Sequence, residues 1–172
     1  MNRRALIGAA AAAIALSFVP KRARASTRLR PPGALPRGAF EQACIGCFRC
    51  AEVCPTKVIQ FELATPFLDF SSRACVLCMK CTEVCPTDAL VELKAEAVRI
   101  GVPKLDRSKC LPWTGQGVCR LCYQVCPYPE RAVEVVGPQK APLFHPEACV
   151  GCGLCEEACP ESARAITIEP LP

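Results

Sequence analysis

The sequence predicts an α+β fold made of two small modules in tandem. Three observations predict it. Sixteen cysteines among 172 residues fall into four sets of four with nearly the same internal spacing. A proline follows the last cysteine of every set, at Pro55, Pro86, Pro127 and Pro160. Short apolar or alternating stretches of strand length flank the sets at regular intervals. In a chain that repeats itself this way, the repeat is the architecture.

The sets are Cys44, Cys47, Cys50, Cys54; Cys75, Cys78, Cys81, Cys85; Cys110, Cys119, Cys122, Cys126; and Cys149, Cys152, Cys155, Cys159. Three read C-x2-C-x2-C-x3-C and the third reads C-x8-C-x2-C-x3-C. Such a run ligates [4Fe–4S] clusters in bacterial ferredoxins. The expected fold is therefore a tandem of small ferredoxin-like modules of the bacterial 2[4Fe–4S] type, stapled by clusters. The expected cofactors are four [4Fe–4S] clusters. A cube needs four thiolates from different directions, and cysteines at i, i+3 and i+6 can wrap three of its corners. The fourth cysteine lies beyond a short helical turn and reaches the neighbouring cube. The proline after it removes a backbone donor and steers the preceding residue away from the helical region. Gly46, Gly151 and Gly153 lie inside loops where backbone N–H groups need to approach sulfur.

The crossed rule gives Cys44, Cys47, Cys50 and Cys85 to the first cube. The second takes Cys75, Cys78, Cys81 and Cys54. The third takes Cys110, Cys119, Cys122 and Cys159, and the fourth Cys149, Cys152, Cys155 and Cys126. A rival pairing joins set one with set four and set two with set three. The 20 residues between Cys54 and Cys75 and the 22 between Cys126 and Cys149 favour the sequential pairing. Structural zinc ordinarily uses two separated C-x2-C pairs, so a triple run suits it poorly. Eight disulfides would not require the same spacing four times over.

In chain order, residues 1–25 read as a twin-arginine signal peptide. Arg3 and Arg4 precede an apolar run from Leu6 to Val19, and Ala23-Arg24-Ala25 forms a small-x-small cleavage pattern. The run is short for a membrane span. Residues 26–39 read as an extended lead-in. The first module is expected over 40–94 and the second over 95–172. Expected strands follow the C-P steps at 58–61, 89–93, 132–136 and 165–168. Others precede the next set at 66–70, 98–105 and 141–145. Thr65-Pro66 and Gly137-Pro138 read as turns between them.

The signal reading and the cluster reading support each other. Clusters are built on the folded chain in the reducing cytoplasm, and the twin-arginine route carries folded cargo. The expected location is the periplasm, with the body on or near the outer face of the cytoplasmic membrane. Residues 1–25 hold five basic and no acidic residues; subtracting these five from the 21 Lys and Arg leaves 16 against 16 Asp and Glu. Each oxidised cluster adds about −2, so the loaded protein is acidic at about −8. That charge gives no footprint for nucleic acid. His145 is the only histidine, and sixteen thiolates already complete four cubes without it. Trp113 reads as a shield for the third cluster, Tyr123 and Tyr128 as packing residues, and Gly115 and Gly117 as a turn. No Ser/His/Asp or Cys/His set supports nucleophilic catalysis, so no catalytic residue and no small-molecule substrate are expected.

The twin-arginine start, the segment LRPPGALP at 29–36, the loop CIGCFRCAEVCPT and the irregular set CLPWTGQGVCRLCYQVCP resemble the ferredoxin-type proteins of the MauM/NapG family. The segment FLDFSSRACVLCMKCTEVCPTDAL is similar to NapF-type ferredoxins. The resemblance implies an electron carrier, not an enzyme, working between a membrane-bound quinol dehydrogenase-type partner and a periplasmic redox enzyme. Two alternatives stand beside it: a maturation factor that helps load clusters into a partner, and a fixed iron–sulfur subunit of a larger oxidoreductase. An assembly factor belongs in the cytoplasm, whereas this front end points outward.

So few aliphatic residues lie outside loops and turns that the clusters must serve as staples. The iron-free chain should be unfolded or molten. A cooperative, native-like melt followed by circular dichroism in iron-free protein would overturn this.

Overall fold

The computed structural model describes residues 28–160 and 164–171; the expected signal peptide at 1–25 lies outside them. The described elements are short. They are α1 (Arg37–Ala43), α2 (Arg49–Val53), β1 (Ile59–Glu62), β2 (Thr65–Leu68), α3 (Lys80–Glu83), β3 (Gly101–Leu105), α4 (Leu111–Thr114), α5 (Leu121–Gln124), β4 (Val133–Val136), β5 (Ala141–Phe144), α6 (Leu154–Glu157) and β6 (Ile166–Pro170). The fold is α+β and ferredoxin-like in both modules.

The second module shows the pattern in full. Its outer strands β3 and β6 pair antiparallel, from Gly101 opposite Pro170 to Leu105 opposite Ile166. Between them in sequence, β4 and β5 form a hairpin with Val133 opposite Phe144. The turn sits at Gly137, with φ +69°, and the Lys140 N–H bonds the Gly137 carbonyl.

The first module repeats this plan with one change. Its hairpin β1–β2 pairs Ile59 with Leu68 and Glu62 with Thr65. The turn is Leu63–Ala64, both at positive φ, and Leu63 is 92% exposed at the apex. Thr65-Pro66, expected as a turn, instead opens β2. The Pro66 nitrogen needs no partner there, and its ring is fully buried. The expected strand at 89–93 is reduced to one bridge between Ala34 and Leu90. Flanking bonds from the Leu35 N–H to the Ala89 carbonyl and from the Val91 N–H to the Gly33 carbonyl extend it. Residues 33–35 therefore occupy the place that β3 holds in the second module. Of the expected extended lead-in at 26–39, the described residues from 28 on are part of the fold, and 37–39 are helical. Leu29 and Pro31 are buried in it, and residue 40 falls inside α1. The first module thus begins nearer 33 than 40.

One apolar core runs through both modules. It joins Leu29, Phe40, Val58, Ile59, Leu68 and Phe70 to Val98, Ile100, Val150 and Ile168. Phe40, at 1% exposure, carries the Arg30 guanidinium 4.8 Å from its ring centroid. Within the second module, the loop of the fourth cysteine set meets β3 through backbone at close quarters. Gly151, at φ +72°, lies so near Gly101 that a Cβ would stand 2.4 Å from the Gly101 nitrogen. Only glycine tolerates both that φ and that approach. No described helix is long and apolar enough to cross a membrane.

Candidate metal centres

All sixteen cysteines lie among the described residues, and none is bridged in a disulfide. Each third cysteine of a set sits on a single-turn helix: Cys50 on α2, Cys81 on α3, Cys122 on α5 and Cys155 on α6. In the three regular sets the residue before this helix is left-handed: Phe48 at φ 65°, Met79 at 59° and Gly153 at 83°. The residue before the second cysteine is left-handed too, at Gly46, Leu77 and Gly151. These two reversals curl each loop tightly around its three sulfurs. Arg120, in the third set, has φ −135°, because the eight-residue spacer delivers Cys110 from the start of α4 and the tight curl is not needed. The fourth cysteine then leaves the helix. Cys54 ends α2 in an extended conformation (φ −67°, ψ 116°), as a residue before proline must.

The cysteines gather around four cavities. Cys44, Cys47, Cys50 and Cys85 line one. Cys54, Cys75, Cys78 and Cys81 line the second. Cys110, Cys119, Cys122 and Cys159 line the third. Cys126, Cys149, Cys152 and Cys155 line the fourth, with Cys122 at its edge. Every quartet takes three cysteines from one set and one from the other set of its module. The cavities are similar in size, about 320 to 380 Å³ with their mouths included.

The walls are apolar. Phe40, Phe48, Phe61, Pro66 and Leu90 surround the first quartet, and Leu111, Pro112, Leu121, Pro142 and Ile166 the third. Among the described residues no carboxylate or imidazole lines these cavities, and no three His, Cys, Asp or Glu side chains stand close enough to hold one ion. The sulfurs surround a volume rather than converge on a point. Four soft thiolate donors around a dry cavity match an iron–sulfur cube and match neither a lone zinc nor a disulfide.

Electrostatics make the same point. Burial, with added repulsion from Cys75, Cys78 and Cys50, pushes the Cys81 thiol up to about 12. Burial also pushes Cys152 up to about 12, with the neighbouring sulfurs of Cys149, Cys126 and Cys75 adding to it. Cys155 is driven well above its ordinary value for the same first reason. Thiolates in such walls need positive charge at their centre, which ferric and ferrous ions supply.

Two fourth cysteines differ. Burial is the largest single influence on Cys54 and raises its thiol, but hydrogen bonds outweigh it together. They come from the Thr56 hydroxyl and from the backbone of Val58, Thr56 and Ile59, and they hold the thiol below its ordinary value. Thr56 Oγ1 lies 3.5 Å from Cys54 Sγ. Cys85 repeats this with Thr87 Oγ1 at a longer 3.9 Å, and the Leu90 N–H donates to its sulfur at 3.4 Å. Burial again opposes these bonds, and the thiol again ends below its ordinary value. In the second module Tyr128 follows Cys126-Pro127 in place of threonine. Burial there leaves the Cys126 thiol raised, with only the Tyr128 backbone opposing it. The C-P-T signature was visible in the sequence at 54–56 and 85–87, yet its hydroxyls went unread as sulfur donors.

The other singled-out residues stand aside from the sulfurs. His145 faces Glu134 at 3.6 Å and Glu147 at 3.7 Å. Trp113 does not shield the third cavity; Leu111 and Pro112 do. Its Nε1–H donates to the Pro142 carbonyl at 3.0 Å and its ring carries the Arg107 guanidinium at 4.1 Å, fastening α4 onto β5. Tyr128 lines the fourth cavity, whereas Tyr123 donates to Glu130 at the surface.

Comparison with known proteins agrees with this chemistry. A model of the 4Fe-4S dicluster domain matches residues 43–90, and a model of the 4Fe-4S binding domain matches residues 142–164. The chain is 33% identical over 188 residues to the ferredoxin-type protein NapG of Escherichia coli (strain K12), covering 95% of this chain and 80% of that protein. It is 34% identical over 169 residues to the methylamine utilization ferredoxin-type protein MauM of Methylophilus methylotrophus, covering 86% and 73%. With MauM of Paracoccus denitrificans (strain Pd 1222) the identity is 33% over 184 residues, covering 95% and 79%.

Hydrogen bonds to cluster sulfur stabilise the more negative, reduced state and so raise its potential. Thr56→Val and Thr87→Val should each lower the potential of one first-module centre by on the order of tens of millivolts, with the second module unchanged. Potentiometric titration followed by EPR measures this. Unchanged first-module potentials would refute the role assigned to the hydroxyls.

Proposed function

This chain belongs to the MauM/NapG family of ferredoxin-type proteins, and on that premise we propose that it carries four [4Fe–4S] clusters as a one-electron relay. The relay runs between a membrane-bound, quinol-linked partner and a periplasmic redox enzyme. The protein is an iron–sulfur electron carrier; the proposal adds the cluster count, the ligands and the ends of the path. The observation that carries it is the gathering of the sixteen cysteines into four quartets, each around its own apolar cavity.

In this reading Cys44, Cys47, Cys50 and Cys85 hold the first cluster, and Cys75, Cys78, Cys81 and Cys54 the second. Cys110, Cys119, Cys122 and Cys159 hold the third, and Cys149, Cys152, Cys155 and Cys126 the fourth. Each bound cluster supplies a reversible one-electron couple. The protein's own part is to exclude water with apolar walls, to fix the thiolates in direction, and to set the balance of charge with donors such as Thr56. Exposed Cys47 and Cys78 mark where the first two quartets approach the surface. The twin-arginine pattern at Arg3 and Arg4 supports export of the loaded, folded chain to the periplasm.

Anaerobically purified protein should contain about sixteen iron atoms per chain and give spin-coupled EPR signals when reduced. Cys85→Ser should perturb the centre held by Cys44, Cys47 and Cys50, leaving the other first-module centre intact. About eight iron atoms, or a perturbation confined to the centre of Cys75, Cys78 and Cys81, would overturn the assignment. Arg3→Lys with Arg4→Lys should strand loaded protein in the cytoplasm. Undiminished periplasmic protein on fractionation would refute the export route.

A further inference from the structure

The four quartets are not arranged in the order in which their sets occur along the chain. Within the first module, quartets one and two adjoin through α2 and α3, which pack together and carry Cys50 and Cys81. Within the second, Cys122 of quartet three stands at the edge of the cavity of quartet four. Among the described residues, one backbone hydrogen bond runs directly from a cysteine of one module to a cysteine of the other. The Cys75 N–H donates to the Cys152 carbonyl at 2.9 Å. Cys75 belongs to quartet two and Cys152 to quartet four.

We infer that electrons pass between the modules at the Cys75–Cys152 contact, so that the quartets work in the order one, two, four, three. This rests on the four-cluster reading above and adds its connectivity. One electron crosses at this contact: the centre on one side is oxidised by one and the centre on the other is reduced by one. No bond forms or breaks. The external reductant is the quinol-linked partner and the external oxidant the periplasmic enzyme.

The surrounding residues hold that contact closed. Glu157, on α6, accepts the Ala74 N–H at 3.0 Å, one residue before Cys75. Arg164 donates from Nη1 to the Phe70 carbonyl at 2.8 Å and from Nη2 to the Ser71 carbonyl. The same guanidinium lies 3.8 Å from Glu156, whose other oxygen accepts the Ile168 N–H at 2.9 Å and ties α6 to β6. Gly153 packs so tightly on Phe70 that a Cβ would meet the ring at 2.7 Å. Segment 70–75 of the first module is thus gripped by α6 and Arg164 of the second. Glu157 and Arg164 are positioning residues: they touch no sulfur, and they fix the distance between two ligand loops.

The test uses the full-length, cluster-loaded chain and reads the magnetic interaction between reduced centres by EPR, with electron equilibration after pulsed reduction as the second readout. Cys47→Ala and Cys119→Ala, which disable the end quartets, should each leave the interaction between modules in place. Cys78→Ala and Cys155→Ala, which disable quartets two and four, should each abolish it. Loss on disabling an end quartet, or survival on disabling an inner one, overturns the order. Glu157→Ala with Arg164→Ala should slow equilibration between modules at least tenfold at full iron content, leaving couplings within each module unchanged. Glu157→Gln with Arg164→Lys should restore it, since both retain the bonding groups. An unchanged rate in the alanine pair overturns the positioning role. Should the alanine pair lose iron, the cysteine series alone decides the order. Wild-type protein holding fewer than four clusters would remove the underlying reading as well, and iron analysis detects that before any variant is made.

Discussion

The structure depends on withdrawing sixteen thiols from water: eight are buried, six half-buried, and two exposed. A buried thiolate without a cation is unfavourable, and burial drives Cys81, Cys122 and Cys152 up to about 12. The apolar shell that makes these thiols resist ionisation also makes bound iron hard to displace. Little else could hold so short a set of elements together. The helices that carry the third cysteines are single turns, and the sheets have two strands each. Such pieces are marginal alone. Each module's two loops lend one another a cysteine, so that every cavity is closed by both.

The modules are variations on one plan, and their differences are local and physical. In the second, two full strands close the module. In the first, a single bridge at Ala34 and Leu90 does so, and Phe40 beneath Arg30 fills the gap. Threonine hydroxyls approach the fourth cysteines of the first module, whereas Tyr128 turns an aromatic wall toward the fourth quartet of the second. The irregular third loop replaces a tight curl with a helical turn clamped by Trp113.

The cysteine groups and hairpins were legible in the sequence because cysteine spacing and strand alternation are local signals. The hairpin of β4 and β5 lies within a residue of its expected ends. Where the reading fell short, a partner distant in sequence decided the outcome. Residues 33–35 bridge to the sheet position only because 89–91 lie beside them, and nothing in a proline-rich segment announces that. Pro66 looked like a turn residue, but the turn had already been made by Leu63 and Ala64, neither of which is a usual turn former. The grip on segment 70–75 was equally hidden. Nothing in the sequence marks Glu157 or Arg164; the fold sets them against backbone groups more than eighty residues away.

The exchange of fourth cysteines has a consequence for biosynthesis. A chain made from its N-terminus presents Cys44, Cys47 and Cys50 early, but their cavity stays open on one side until Cys85 has been synthesised. The third cavity likewise waits for Cys159, made after Cys110, Cys119 and Cys122. Neither module can close its two cavities while its second half is unmade. On the proposed ligand assignment, metal loading would be deferred until both cysteine sets of a module are complete, and a prematurely truncated product would carry a vacancy that no rearrangement of its own residues could fill.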